Sequence, residues 1–474
     1  MSRRPNVLLL MADQQKATSL SLYGNPDVRT PALEALAARG VLARHCLTPQ
    51  PFCFPSRCSL LTGRYPHAHG VRGNGRTLVA DELPLAEILQ REGYHTGAVG
   101  HFHGGAAGGG RGVGVTFDMS QGRQREAWQR HHQLVRQAPA RTAHMTATVT
   151  GSLEDYIDCV MTADAARFLD DAPEDAPFFL EVAWIAPHPP YFVPEPYASQ
   201  FDPAALAYPA QDPPDAAKPA AHRDTARDMG TFGAPETELR RALAAYYAMV
   251  SLVDDQVARL LEALRRRGQL DNTIVVYTSD HGDYAGEHGM WGKSCTLYDA
   301  LVRVPLIMAG PGIPSGGALD GMVQSIDVLP TLLGLLGLPV PDTVHGLPLQ
   351  ALWGAASRAA EPKAAPASSA GPGRTDFEIA FAEVGAFPAS MVRQRERGNN
   401  MPFGPPASGR QVELSVMART ADWKLVYTPG RETQELYDLQ HDPWERRNCY
   451  GAAAHEPVVA ALRQRLQDWM LTHT

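Results

Sequence analysis

The chain has 474 residues, 44% hydrophobic and 20% charged, with a formal net charge of −8 at pH 7. That length exceeds what one hydrophobic core usually organises, so two domains of unequal size are expected. The acidic balance excludes a nucleic-acid footprint and gives no long-range pull on anions, so any anion site must be built locally.

The N-terminal apolar run is too short for a signal-peptide core, and no stretch has the length to span a bilayer. A cytoplasmic protein is therefore expected. The six cysteines, at positions 46, 53, 58, 159, 295 and 449, show neither CxxC spacing nor a disulfide framework. Free thiols are expected.

In chain order, residues 6–12 form an apolar run of strand length that stops at Asp13. Thr30-Pro31 opens a helix that Gly40 is expected to close, and 83–92 repeats the pattern before Gly93. Residues 96–100 end at His101, and 178–186 end at Pro187-His188. A long helix is expected over 237–267, terminated by Gly268. Residues 273–278 end at Ser279-Asp280-His281, and 304–309 end at Gly310. Continuous apolar runs suit strands buried on both faces, and their alternation with helices implies an α/β sheet covered on both sides. Reactive groups in such sheets gather beyond the carboxyl ends of the strands. Asp13, His101, His188 and Asp280 all fall there.

Residues 354–375 are rich in Ala, Pro, Ser and Gly and read as a linker or flexible loop. Beyond them, 377–384, 412–420, 423–427 and 435–439 read as short strands, and 456–471 as an amphipathic helix. The expected division is a catalytic α/β domain at 1–353, the linker at 354–375, and an α+β subdomain at 376–474 with a small antiparallel sheet. Segments 192–235 and 385–410 are the expected pocket wall.

Cys53-Phe-Pro-Ser-Arg57-Cys-Ser-Leu-Leu-Thr62-Gly-Arg64 is the most specific string in the chain. Pro55 suits a first helical turn, which places Cys53 just before a helix N-terminus, where unpaired N–H groups favour an anion. Arg57, one turn on, is placed to donate a charge-assisted hydrogen bond to a tetrahedral oxyanion.

This string resembles the sulfatase signature C-x-P-S-R-x-x-x-L-T-G-R, with every fixed position filled. The resemblance extends through Gly63-Arg-Tyr-Pro-His67, Ser279-Asp-His-Gly282, Val304-Pro-Leu-Ile307 and Glu435-Leu-Tyr-Asp-Leu439. It implies the alkaline-phosphatase-like fold, with a large domain around a central mixed sheet and a smaller C-terminal domain. It also implies oxidation of Cys53 to formylglycine by a formylglycine-generating enzyme. Asp13, Gln14, Asp280 and His281 resemble the family's metal ligands, completed by an oxygen of the modified Cys53. Calcium is favoured by the oxygen-rich set, with manganese as the alternative because of the imidazole.

By the same resemblance, His188 and Lys293 match the pair near the leaving-group oxygen, and His103 matches the histidine that assists turnover of the covalent intermediate. Asn74 is placed to hydrogen-bond the anion or to serve as a turn residue; His67 and His69 read as structural. Members commonly show Gly-Lys-x-His where this chain has Gly100-His101-Phe102-His103, so His101 stands where a lysine would bind the sulfate. The implied reaction is hydrolysis of a small-molecule sulfate ester. The alternatives are hydrolysis of phosphonate monoesters or phosphodiesters at the same site, and a non-catalytic binding member with an unmodified thiol. A homo-oligomer is compatible with the residues.

Overall fold

The structure, a computed structural model, describes residues 4–74, 77–102, 111–137, 144–209, 211–213, 216–219, 222, 225–227, 231–356, 376–385, 414–431 and 434–473. Strands of the large sheet and its surroundings are β1 (Asn6–Ala12), β2 (Gly40–Leu47), β3 (His95–Gly100), β4 (Val115–Asp118), β5 (Thr146–Val149), β6 (Phe178–Ala183), β7 (Tyr191–Pro194), β8 (Thr273–Ser279), β9 (Arg303–Val304), β10 (Leu306–Ala309) and β11 (Gly317–Gln324). The order across the large sheet is β11-β2-β10-β8-β1-β6-β3-β4, with β9 on β2 and β5-β7 as a separate pair. From β8 to β4 all neighbours run parallel, whereas β10 is antiparallel to both β2 and β8. The sheet is mixed.

Principal helices are α1 (Pro31–Ala38), α2 (Cys53–Thr62), α3 (Leu85–Arg91), α4 (Gly122–Gln137), α5 (Ile157–Asp171), α6 (Glu236–Arg266) and α7 (Val328–Leu335). Strand periodicity divides them between two cores. Leu8, Leu10 and Ala12 of β1 join residues of α5 and α6, while Val7, Leu9 and Met11 join residues of α2, α3 and α7. Each fully buried leucine or valine here contributes roughly 1.5–3 kcal/mol. All seven β1 residues are buried, which holds the strand rigidly and fixes where Asp13 leaves it.

Three sequence expectations are corrected. Gly40 does not close α1 but opens β2, because a Cβ there would lie 1.9 Å from the Met308 carbonyl oxygen of β10. The expected strand at 304–309 is two pieces, since Pro305 offers no N–H for the ladder. The expected strand at 178–186 stops at Ala183: the Ile185 and Ala186 N–H groups donate to Asp158 Oδ1, at 2.7 and 3.1 Å, rather than to a neighbouring strand.

A second, antiparallel sheet is formed by β12 (Ala380–Val384), β13 (Ser415–Arg419), β14 (Trp423–Tyr427) and β15 (Glu435–Asp438) in that order. Helix α8 (Glu456–Thr472) covers it through Val459, Leu462, Leu466 and Trp469. Another core joins Ala382 and Met417 of this sheet to Leu47 and Met322 of the large one and to Phe52 beside α2. Residues 357–375 and 386–413, which include most of the expected linker and of the expected pocket-wall segment 385–410, lie outside the described residues.

Charged groups also tie the small sheet to the helical turn Asp299–Val302 that leads into β9. Asp299 receives Arg419 Nη2 at 3.0 Å and Lys424 Nζ at 2.5 Å, and Lys424 Nζ meets Glu445 at 2.6 Å. Burial alone would raise the Asp299 carboxyl, but the Arg419 and Lys424 charges hold it well below the usual carboxylate range. Asp299→Asn leaves two buried cations short of a partner and is expected to cost about 3–5 kcal/mol in denaturant unfolding at pH 7. A carboxyl depressed in the folded state stabilises above its unfolded pKa, and that contribution disappears as pH falls through the folded value. The gap between wild type and Asp299→Asn is therefore expected to narrow below about pH 4.

Candidate active site

The nucleophile position is set by α2. The sequence placed Cys53 just before the helix, but the helix begins at Cys53 with Phe52 as N-cap, and Pro55 is its third residue. Gly63, at φ +68°, ends it. All ten residues of α2 are buried, so its position is fixed by contacts on every side. Ser56 Oγ donates to the Asp280 carbonyl at 2.5 Å, tying the helix to the end of β8.

Asn74 Oδ1 accepts the Phe54 N–H at 3.0 Å. Asn74 thus caps the helix through Oδ1, and its Nδ2 hydrogens are the ones an anion could meet. Asn74→Ala exposes an unpaired helix donor and is expected to lower stability by about 1 kcal/mol, read from the denaturant midpoint.

Around Cys53 the chain gathers groups from four strand ends. The sulfur lies 3.2 Å from Lys293 Nζ, 3.3 Å from His281 Nε2 and 3.9 Å from Asp13 Oδ1. Asp13 and Asp280 are 0% and 1% exposed, a burial that carboxylates tolerate only when paired. Each turns one oxygen to Arg57: Asp13 Oδ2 accepts Nη2 at 3.1 Å, and Asp280 Oδ2 accepts Nε at 2.9 Å. Arg57 Nη1 donates to the His101 carbonyl at 2.5 Å. Its guanidinium thus ties two carboxylates and a carbonyl together, using three of its five N–H donors.

The other carboxylate oxygens face inward. His281 Nε2 is 3.7 Å from Oδ1 of both Asp13 and Asp280. His281 Nδ1 is 3.0 Å from the Gly282 carbonyl, which can only accept, so a neutral ring, the form that binds a cation, would carry its proton on Nδ1 and turn Nε2 to the cluster. Burial alone would raise the Asp280 carboxyl, but His281, Arg57 and Lys293 hold it well below the usual range. One ligand atom each from Asp13, Cys53, Asp280 and His281 lies within 4.8 Å of the others. Two inward carboxylate oxygens, an imidazole lone pair and a thiol or its oxidised successor fit a divalent cation.

Gln14 belongs to the same cluster: its Oε1 accepts from Lys293 Nζ at 2.9 Å, and its backbone N–H donates to Asp280 Oδ1 at 3.0 Å. Its backbone is left-handed, at φ +69°, a conformation that costs a non-glycine residue free energy and is found mainly at functional sites. His188 Nδ1 donates to the Pro189 carbonyl at 2.6 Å, which leaves Nε2 to accept from Lys293 at 3.0 Å. Burial first, and then the Lys293 charge, pushes His188 well below the ordinary histidine value. Burial would lower the Lys293 ammonium, but Cys53, Asp13 and Asp280 raise it overall. The pair therefore has a fixed order, with the proton on lysine.

His101 lends its carbonyl to Arg57 and stacks its ring 6.0 Å from that of Trp128 on α4. His103 lies outside the described residues. His67 and His69 stand apart from the chemistry: His67 faces Glu383 at 3.2 Å, and His69 Nε2 meets Ser59 Oγ at 2.9 Å, with burial pushing its pKa down to about 3. Segment 192–235 borders a cavity of about 650 Å³ lined by Tyr208, Lys218, His222, Phe232 and His288. Sequence reasoning missed Asp283 and Tyr191. Asp283 Oδ2 accepts from Gln14 Nε2 and from Tyr191 Oη, both at 2.7 Å. Its place three residues after Asp280, in Asp280-His-Gly-Asp283, was the available signal.

A mixed sheet covered by helices, with a buried carboxylate–imidazole cluster and a cysteine-bearing helix start at its strand ends, defines a hydrolase of the alkaline-phosphatase-like class. A family model described as Sulfatase matches residues 5–338, and the chain belongs to the sulfatase family. An ulvan-active sulfatase from Formosa agariphila is 29% identical over 74% of this chain, and the match covers 65% of that longer protein. An N-acetylglucosamine-6-O-sulfatase from Bacteroides thetaiotaomicron is 24% identical over 98% of this chain and 86% of its own length. Among solved structures, the phosphonate monoester hydrolase of Agrobacterium radiobacter superposes with a TM-score of 0.78 at 25% identity, covering 99% of this chain and 96% of that one.

Proposed function

We propose that the protein hydrolyses sulfate monoesters to an alcohol and sulfate, using position 53 as the nucleophile after its cysteine has been oxidised to formylglycine by a formylglycine-generating enzyme. One observation carries this reading: Cys53 Sγ sits between Lys293 Nζ and His281 Nε2, inside a buried pair of aspartates. The hydrated aldehyde would present two geminal hydroxyls. The oxygen of one forms a bond to sulfur as the alcohol leaves, and loss of the other's proton expels sulfate and restores the aldehyde. A divalent cation held by Asp13, Gln14, Asp280, His281 and the modified side chain would supply Lewis-acid charge, with calcium favoured and manganese the alternative.

The remaining work falls to the chain itself. Arg57 holds one oxygen of each aspartate and so aims the other inward. Lys293, charged and in contact with the nucleophile, gives the departing alkoxide its proton. His188 accepts from Lys293 and orients it. His103, matched to the family by sequence, takes the proton of the second hydroxyl, and the Asn74 amide hydrogens and the His101 ring contact the anion.

Lys293→Ala is expected to slow esters of poorly acidic alcohols by about 10²- to 10⁴-fold, and nitrophenyl sulfate far less. Equal losses across leaving groups would remove lysine as the acid.

Parallel assays on aryl, choline and carbohydrate sulfates, phenylphosphonate and a phosphodiester test the activity. Turnover of sulfate esters is expected; its absence from protein shown by mass spectrometry to carry formylglycine would overturn the proposal. A second reading, phosphonate monoester or phosphodiester hydrolysis, is favoured by the Agrobacterium radiobacter structure and by His101 at the usual lysine position. An intact thiol in material from the native host would point instead to a binding protein.

We retain as part of the proposal the division at 1–353, 354–375 and 376–474. A cytoplasmic location is supported by six cysteines that form no disulfide. Among the described residues no helix is long and apolar enough to cross a membrane.

A further inference from the structure

We infer that Asp283 is a positioning residue that fixes which end of the Gln14 side chain faces the metal site. The inference rests on the proposal that a divalent cation binds there.

A glutamine amide offers an oxygen at one end and an NH₂ at the other, and only the oxygen ligates a cation. A carboxylate at position 14 would present an oxygen whichever way it turned. Glutamine must be held. The structure holds it from both ends. Lys293 Nζ, which can only donate, meets one terminus at 2.9 Å, so that terminus is Oε1. Asp283 Oδ2, an acceptor, meets the other at 2.7 Å, so that terminus is Nε2.

Asp283 is itself immobilised. Its Oδ1 accepts the Ala285 N–H at 2.8 Å and the Gly292 N–H at 2.9 Å, and its Oδ2 also accepts Tyr191 Oη at 2.7 Å. It is 0% exposed. Four donors converge on its two oxygens, so every outward face of this side chain is an acceptor. The Gly292 N–H lies one residue before Lys293, so the same carboxylate anchors the loop that carries the lysine. Gln14 sits at φ +69°, and the cost of that backbone is offset by hydrogen bonds on both sides of its amide.

An asparagine introduced at position 283 is nearly isosteric with aspartate but has a donor at one end. Keeping its oxygen on the two backbone N–H groups turns its NH₂ toward Gln14, where two donors meet; a flip of the Gln14 amide relieves that clash only by setting its NH₂ against the Lys293 ammonium. The NH₂ of Gln14 then faces the cation site. A glutamate introduced at position 14 escapes this conflict, because one of its oxygens accepts from the new amide while the other still faces inward.

The test uses the full-length protein and titrates calcium and manganese by calorimetry, without substrate, on wild type, Asp283→Asn, and the pair Gln14→Glu with Asp283→Asn. Asp283→Asn is expected to weaken binding by about 10- to 100-fold, the range for residues that orient metal ligands. The double variant is expected to return to within about threefold of wild type. Binding by folded Asp283→Asn within twofold of wild type would overturn the inference, as would a double variant no better than the single one. Should Asp283→Asn fail to fold, the double variant decides alone by the same threefold criterion. A wild-type protein that binds neither ion sinks the metal site itself, and the inference with it, and that outcome is separable because it appears before any substitution.

Discussion

Cys53→Ser is expected to release one equivalent of alcohol from an aryl sulfate and then stop. Serine keeps an oxygen at the point where Lys293 Nζ and His281 Nε2 meet the native side chain at 3.2 and 3.3 Å. Its single hydroxyl can take the sulfuryl group but has no geminal partner whose deprotonation expels sulfate. The ester then waits for water to attack sulfur, in a pocket whose nucleophile position is 1% exposed. Steady turnover is expected to fall by at least about 10⁴-fold, the scale seen when a nucleophile that acts as part of a unit is lost. Intact-mass spectrometry should find the variant heavier by one SO₃. The wild type, after maturation, should be lighter than its sequence by the difference between H₂S and O. Sustained turnover by the serine variant would show that the second hydroxyl is not needed.

The second large effect is expected at Asp280. Its Oδ1 accepts the backbone N–H of Gln14 at 3.0 Å and that of His281 at 2.8 Å, and its Oδ2 accepts Arg57 Nε at 2.9 Å. In Asp280→Asn the amide oxygen can serve one side only. If it keeps the backbone donors, the NH₂ faces a buried guanidinium; if it keeps Arg57, two buried N–H groups lose their acceptor. Either way a fully buried cation has lost half of its counter-charge. Breaking a buried pair in this manner costs about 3–5 kcal/mol. The cation site also loses a charged oxygen. Wild-type unfolding should shift to higher denaturant as divalent ion is added, because the ion binds only the folded chain. The variant should start lower and show almost no shift. A full ion-dependent shift in Asp280→Asn would remove this carboxylate from the ligand set.

Much of the molecule could be read from the residues because its signals are local. Buried parallel strands must be apolar along their whole length, so β1, β3 and β8 announce themselves, and the first polar residue after each marks the catalytic edge. Asp13, His101 and Asp280 were found in that way. Cys53-Phe-Pro-Ser-Arg57 was found because a family's chemistry requires that string. Strands β2 and β11 were not found. They carry His45, Asp320 and glycines near the rim of the sheet, where half-exposed positions break the apolar run. Gly40 was misread for a related reason: its close approach to Met308, far along the chain, leaves no local trace.

The roles of Arg57, Asn74 and Asp283 depended on partners that the sequence does not place side by side. Arg57 meets Asp13 and Asp280 across 44 and 223 positions. Asn74 caps the Phe54 N–H from 20 positions downstream. Asp283 meets Gln14 across 269 positions.

Composition, strand ends and one twelve-residue string determined the class of this protein and the kinds of groups at its site. The tertiary structure alone decided how those groups divide the work. Hydrogen-bond partners in an α/β sheet come from strands adjacent in space but hundreds of residues apart in the chain, and a side chain's role follows from which partner has already claimed its donors and acceptors.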